Sequence, residues 1–303
     1  MVYDLIIIGA GASGISSAIY AGSRRMNLLL LEQNEVGGLI NKVSVISHFE
    51  GVNLGEPGRA FIDRAKKQLA EEGISVVKER VIKVDLTADV KRVCTEERCY
   101  EGKTVIIAGG SVPNKVPFEG LQELENKHVF YEVIDERLPR LKDKEIFVVG
   151  GSDGAVKEAI YLSGYAKTVN LVFIEDKIAC VKEFQEKLSA LKNVKLHAHS
   201  SIVKAQLEGE TLAVDIKDNT SGAVKTVRSQ DGKIFVFAGI KPASALYQGV
   251  IEMENGFIKT DCDMQTNVKN VFAVGDIRAK KVRQVSLAVA EGTIAAIMAS
   301  KAL

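Results

Sequence analysis

The sequence predicts an α/β protein containing two Rossmann-like units, and three observations predict it. A β-rich apolar run, Val2–Ile8, leads straight into Gly9-x-Gly11-x-x-Gly14. A second such run, Lys144–Val149, leads into Gly150-Gly151-Ser152-Asp153-Gly154-Ala155. The stretch after each cluster repeats: Met26-Asn27-Leu28-Leu29-Leu30-Leu31-Glu32 lies over Val169-Asn170-Leu171-Val172-Phe173-Ile174-Glu175, acid included. A plan that recurs within one chain is a repeated βαβ unit, and 303 residues suffice for two domains.

In the first unit, Val2–Ile8 suits a buried parallel strand, Ile15–Ala21 carries helical spacing, and Met26–Leu31 forms a second strand ending on Glu32. Each glycine has a physical task. Gly9 makes the turn, Gly11 lets backbone approach a pyrophosphate, and Gly14 lets helix and strand pack closely. The helix start offers unpaired N–H groups and positive potential, while Glu32 accepts from ribose hydroxyls. In the second unit, Val156–Tyr165 reads as the helix and Thr168–Ile174 as the strand that ends at Glu175. Asn193–Val227 reads as short strands joined by polar turns. His197 and His199 lie two apart, which places them on one strand face; no third ligand is suggested and no metal site is expected.

Composition narrows the classes. Forty Lys and Arg stand against 39 Asp and Glu, and that balance gives no reason to propose nucleic acid or an anionic membrane as the main partner. The apolar runs are too short to span a bilayer, and the N-terminus shows no signal peptide. Four scattered cysteines (Cys94, Cys99, Cys180, Cys262) make no disulfide framework, so a reduced, cytoplasmic protein is expected. Cys94 and Cys99 flank Thr95-Glu96-Glu97-Arg98, which reads as a hairpin loop before the strand Thr104–Ala108, where a cross-strand disulfide is geometrically possible.

Near the C-terminus, Asn270-Val-Phe-Ala-Val-Gly275-Asp276-Ile277 is a strand running into Gly-Asp, followed by Arg283-Gln284-Val285 opening an alanine-rich helix. With the opening glycine motif, Glu32, Gly37-Gly38 and Thr104-Val-Ile-Ile-Ala-Gly109, these segments run through the chain in the order found in low-molecular-weight thioredoxin reductases. The sequence resembles that family of FAD/NAD(P) flavoproteins. The resemblance implies two dinucleotide-binding domains, each with a β-meander, the FAD domain being split by an inserted NAD(P)-type domain. The expected segments are 1–113 and 244–303 for FAD and 114–243 for nicotinamide, with Ser111–Pro117 and Gly239–Ser244 as crossings. For FAD it implies contacts from Gly9, Ala10, Gly11, Ala12, Ser13 and Gly14 at the first turn, and from Glu32 and Gln33 at the strand end. Gly37, Gly38, Leu39, Ala108 and Gly109 would contribute in the middle. Asp276 would hold the ribityl or phosphate region, with Gly275 and Arg283 beside it, and backbone at Gln284 and Val285 would meet the pyrimidine edge. For NAD it implies Gly150, Gly151, Ser152, Asp153, Ala155 and Glu175. A homodimer is also implied.

Three departures from the family shape the functional expectation. Its Cys-x-x-Cys position, counted back from Gly150, holds Val133-Ile134-Asp135-Glu136, none of which forms a thiolate. Its nicotinamide turn has Ser152 for the central glycine, and Phe173-Ile174-Glu175-Asp176 replaces a His-Arg-Arg cluster, so NADH is expected over NADPH. Ferredoxin–NAD(P)+ reductases of this fold also lack the cysteine pair, and His128-Val-Phe-Tyr131-Glu-Val resembles their interdomain segment. Their C-terminal extension has no counterpart after the flavin helix, so an open flavin face is expected. The expectation is an FAD enzyme passing electrons from NADH to ferredoxin, flavodoxin, a quinone or dioxygen, with no side-chain catalyst; His48 and Phe49 would lie near the flavin. Two alternatives stand beside it: disulfide reduction through other thiols, and a flavoprotein reduced by a partner protein with a non-functional nicotinamide site.

Overall fold

The short β-branched runs become buried parallel strands because helices cover the faces on which their side chains alternate. The computed structural model describes residues 1–133 and 135–303, the side chains of residues 135 and 136 excepted, and divides into two compact units: 1–112 with 241–303, and 113–240.

The first unit begins with β1 (Val2–Ile8), α1 (Ala12–Ser23), β2 (Leu28–Glu32), α2 (Gly58–Glu71), β3 (Val76–Lys78), β4 (Val81–Asp85), β5 (Lys91–Thr95) and β6 (Cys99–Ile107), and β7 (Ser111–Pro113) leads out. Strand β1 pairs in parallel with β2 and β6, placing Ile6 beside Leu29 and Val105 and Ile8 beside Leu31 and Ile107. Ile6, Ile7, Ile106 and Ile107 have no exposed surface, and each such side chain contributes about 1.5–3 kcal/mol of burial. Helix α1 starts at Ala12, three residues before the expected Ile15, because the glycine turn feeds directly into it. Strand β6 starts five residues before the expected Thr104, since β5 and β6 form one hairpin with Cys94 opposite Cys99.

The second unit runs through α3 (Leu121–Leu124), β8 (Val129–Phe130), β9 (Glu145–Val149), α4 (Asp153–Ser163), β10 (Thr168–Val172), α5 (Lys182–Ala190), β11 (Val194–His197), β12 (Ser200–Glu208), β13 (Thr211–Asp218), β14 (Val224–Gln230) and β15 (Ile234–Val236), and β16 (Ile240–Pro242) leads back into the first. Its parallel sheet has the order β11-β10-β9-β15-β8, and β12-β13-β14 form an antiparallel meander. Asn170, 1% exposed in the middle of the parallel sheet, is satisfied by Glu145 Oε1 (2.9 Å) and His197 Nε2 (2.9 Å). Burial and the neighbouring Lys225 and Lys195 lower the His197 pKa. The expectation that His197 and His199 share a strand face is corrected here. His199 has φ +48° in the turn after β11 and contacts Asp176 at 3.0 Å instead.

The first unit is completed by β17 (Met253–Glu254), β18 (Phe257–Ile258), β19 (Val271–Ala273) and α6 (Val285–Lys301). β6 therefore has three neighbours. One edge faces β1; on the other, Cys99–Gly102 pairs with β5 and Val105–Ile107 with β19. Helix α6 lies close against α1. A Cβ on Gly292 would collide with the Ser13 carbonyl oxygen, Ser16 Oγ donates to Val289 O (2.7 Å) and Ser17 Oγ donates to Gly292 O (3.1 Å). Ala295, Ala296 and Ala299 are buried, whereas Ala290 is exposed. Among the described residues no helix is long and apolar enough to cross a membrane.

Candidate functional site

The glycine turn of the first unit is shaped by what a side chain would hit. Gly9 has φ +103°, and a Cβ there would lie 2.5 Å from the Ala108 carbonyl oxygen; a Cβ on Gly14 would run into the Gly9 carbonyl oxygen. Gly11 is different: a Cβ would meet nothing within 4 Å, so the space before the α1 N-terminus is open. No side chain caps α1, and its first turn carries no acid. Its first amides therefore present partial positive charge to that space.

The acid at the end of β2 closes the turn. Glu32 accepts from Ala10 N with Oε2 and from Asn34 N with Oε1, both at 2.8 Å. The following loop crosses the turn, with Gly37 N donating to Ala10 O (2.7 Å). Gly38 and Leu39 then open the short 3-10 helix Gly38–Lys42. Gln33 is exposed, and a Cβ on Gly109 would lie 3.5 Å from Ile277 Cδ1. Exposed His48 (φ +59°) precedes Phe49, whose ring packs on Phe61.

The Gly275-Asp276 segment arrives beside the same turn. Gly275 has φ +77°, and a Cβ there would lie 2.6 Å from Ser13 Oγ. Burial raises the Asp276 carboxyl above its ordinary range, with Glu291 adding to the rise and Lys280 and Arg283 pulling it down. Arg283 places its guanidinium 4.2 Å from the Phe257 ring centroid and donates to the carbonyls of Lys280 and Arg278. Gln284 and Val285 begin α6, a second helix whose N-terminus no side chain caps.

Three residues not anticipated from the sequence complete this corner. Buried Glu291 accepts from Gly275 N (2.7 Å) and pairs with Arg278 (2.7 Å) and Lys280 (3.1 Å). The available signal was a lone carboxylate inside the Val285–Lys301 helix, because a buried charge requires partners.

The second unit repeats the turn with different chemistry. Gly150 has φ +130°, and a Cβ there would lie 2.5 Å from Phe237 O. Glu175 Oε2 lies 3.0 Å from the Cβ position of Gly151, so this acid reaches its turn as Glu32 reaches Ala10. Here Ala179 N donates to Gly151 O (2.8 Å), and Val181 N donates to Asp153 Oδ1 (2.7 Å), tying the crossing loop to a carboxylate in the first turn of α4. Exposed Ser152 is the N-cap residue but makes no side-chain cap, and Ala155 is buried behind it.

Cys94 and Cys99 form a disulfide across the β5–β6 hairpin. Cys99 opens β6, while Ala108, which touches the glycine turn, follows its other end. At about 3.3 Å per residue the two are roughly 30 Å apart. Of the stretch where the family's cysteine pair is expected, Val133 is buried, while Ile134 and the side chains of residues 135 and 136 lie outside the described residues.

Comparison with known proteins agrees with this geometry. Residues 3–292 match the family described as pyridine nucleotide-disulphide oxidoreductase. A thioredoxin reductase of Peptoclostridium acidaminophilum is 37% identical, covering 99% of this chain and 96% of its own. A "34.2 kDa protein in rubredoxin operon" of Clostridium pasteurianum is 36% identical over 98% and 96%. The thioredoxin reductase of Lactococcus lactis (FR conformation) superposes with a TM-score of 0.93 at 29% identity, covering 99% of this chain and 98% of that one. Two Rossmann-like units, uncapped helix starts and matched acids are thus accounted for together: the chain belongs to the pyridine nucleotide-disulphide oxidoreductase family and is a flavoprotein oxidoreductase whose cofactor is FAD.

Proposed function

We propose that the first unit holds FAD and the second NADH, and that electrons leave the flavin for an acceptor that is not a disulfide of this chain. The open space at Gly11 and the amides of α1 fit the pyrophosphate, and Glu32 fits the adenosine ribose. Asp276 and the first amides of α6 fit the ribityl chain and the pyrimidine edge, where positive potential stabilises the charge gained on reduction. Bound FAD supplies the hydride and electron chemistry, and the protein supplies position and electrostatics. Glu175 favours NADH, because a carboxylate accepts from a free 2′-hydroxyl and repels a 2′-phosphate.

The observation that carries the acceptor reading is the cysteine arrangement. No two cysteines stand as Cys-x-x-Cys, and the one bonded pair lies roughly 30 Å along β6 from the glycine turn. A protein electron carrier fits best; that a 36% identical relative is named for a rubredoxin operon supports it. The test is an anaerobic titration of the yellow holoprotein with NADH and then NADPH, followed by addition of oxidised ferredoxin or rubredoxin. Bleaching by NADH and reoxidation by the carrier are expected. Reoxidation only by a disulfide, lost in Cys94→Ser, would restore disulfide reduction.

A second reading has its own observation. Ser152 and the Asp153 carboxylate occupy the turn where a pyrophosphate must come close. On that reading the second site binds no nicotinamide, and a protein partner reduces the flavin. A flavin that NADH leaves yellow, and a reduced low-potential iron–sulfur protein bleaches, decides for it.

A further inference from the structure

Arg278, Lys280 and Glu291 form a charged cluster beside Asp276. The side chains of Glu291, Lys280 and Arg278 are 9%, 10% and 12% exposed. The Glu291 carboxylate takes the Gly275 amide (2.7 Å), Arg278 (2.7 Å) and Lys280 (3.1 Å) at once, and Lys280 also stands 3.7 Å from Asp276. Arg278 is further fixed by donating to Thr260 Oγ1 (2.7 Å). Two cations stand against the two carboxylates Glu291 and Asp276, so removing any one of these charges leaves a partner unbalanced. A Cβ on Gly275 would lie 2.6 Å from Ser13 Oγ in the first turn of α1, so the Gly275 end of the cluster passes beside the glycine turn.

We propose that Glu291 is a positioning residue that sets the reduction potential of the bound flavin. It holds Arg278 and Lys280 beside Gly275 and offsets part of their charge. Two-electron reduction of FAD takes up two electrons and one proton, leaving one added negative charge on the ring. Cations near the ring favour that product and a carboxylate opposes it. Glu291 therefore holds the potential down and Lys280 holds it up. The inference rests on the reading that the first unit binds FAD with Gly275-Asp276 beside it.

The experiment uses FAD-loaded protein, reduced slowly by xanthine and xanthine oxidase against a reference dye, with flavin content checked first by fluorescence. Glu291→Gln keeps an oxygen that accepts from Gly275 N but removes the charge. It should shift the reduced-to-oxidised equilibrium at least tenfold toward reduced, about 30 mV for a two-electron couple. Lys280→Gln should shift it tenfold the other way, and the double variant should lie within threefold of wild type. Single variants that move in the same direction, or move less than threefold, overturn the proposal. If Glu291→Gln does not fold, the direction of the Lys280→Gln shift decides alone. Failure of the underlying reading looks different: Gly11→Val would then keep its full complement of FAD.

Discussion

The two glycine turns share a backbone and differ in charge. In both, a glycine with positive φ is held against a carbonyl, Ala108 O in one and Phe237 O in the other, and in both a glutamate reaches the next residue of the turn. In the first, Gly37 crosses the turn and α1 begins without an acid; in the second, Ala179 crosses and α4 begins with Asp153 bound to the loop. Backbone geometry makes a dinucleotide turn, and the charge at the helix start decides how well it receives a phosphate.

The largest effects should separate folding from binding within the first turn. Gly9→Ala forces a side chain onto φ +103° and into the Ala108 carbonyl, and should cost about 3 kcal/mol or more. Gly11→Val points into open space, so the apo-protein should unfold within about 0.5 kcal/mol of wild type while FAD affinity falls roughly 100-fold, about 2.7 kcal/mol. Urea titration and flavin fluorescence measure the two; equal losses of stability in both variants would break the distinction. Next, Glu175→Ala should lower the rate of NADH-driven bleaching about tenfold, near 1.4 kcal/mol, with FAD content unchanged. An unaltered rate in stopped flow removes Glu175 from the nicotinamide site. Ser152→Gly should act oppositely and more weakly, raising that rate about threefold, less than 1 kcal/mol. A slower Ser152→Gly enzyme would mean that the hydroxyl helps.

Asp276 sets a pH-dependent contrast. Its carboxyl is raised by burial, so in the apo-protein it favours folding only when protonated, and that contribution is lost as pH rises through the folded value. Apo Asp276→Asn should therefore be the more stable protein at neutral pH, the gap closing as pH falls below the unfolded value of 3.8. A gap that widens in acid contradicts the sign. The smallest effect belongs to Cys94→Ser, which should leave NADH-driven bleaching within about twofold, because the hairpin is roughly 30 Å along β6 from the turn.

What was legible in the sequence follows from how local the constraint is. Gly9, Gly150 and Gly275 lie at positive φ against close neighbours, conditions that exclude a Cβ, so residue type alone marked the turns. The Cys94–Cys99 hairpin was legible because a short polar stretch sits between two strands. The Glu291 cluster was not, because Gly275, Arg278 and Lys280 lie in an irregular segment before α6, and no local residue pattern specifies that this segment returns its cations and amide onto one carboxylate inside the helix. The two-residue spacing of His197 and His199 misled because alternation holds only while the strand continues, and β11 ends at His197.

The shared edge of β6 also has a consequence for biosynthesis. Its second half pairs with β19, which begins at Val271, while the strands before it end by residue 113. The hydrogen-bonding groups of Val105–Ile107 on that edge stay uncovered until the intervening chain has been translated, roughly ten to thirty seconds at about 5–20 residues per second. The second unit, continuous over residues 113–240, emerges whole in that interval. During translation, then, the first unit carries an open strand edge until the β19 segment pairs with it.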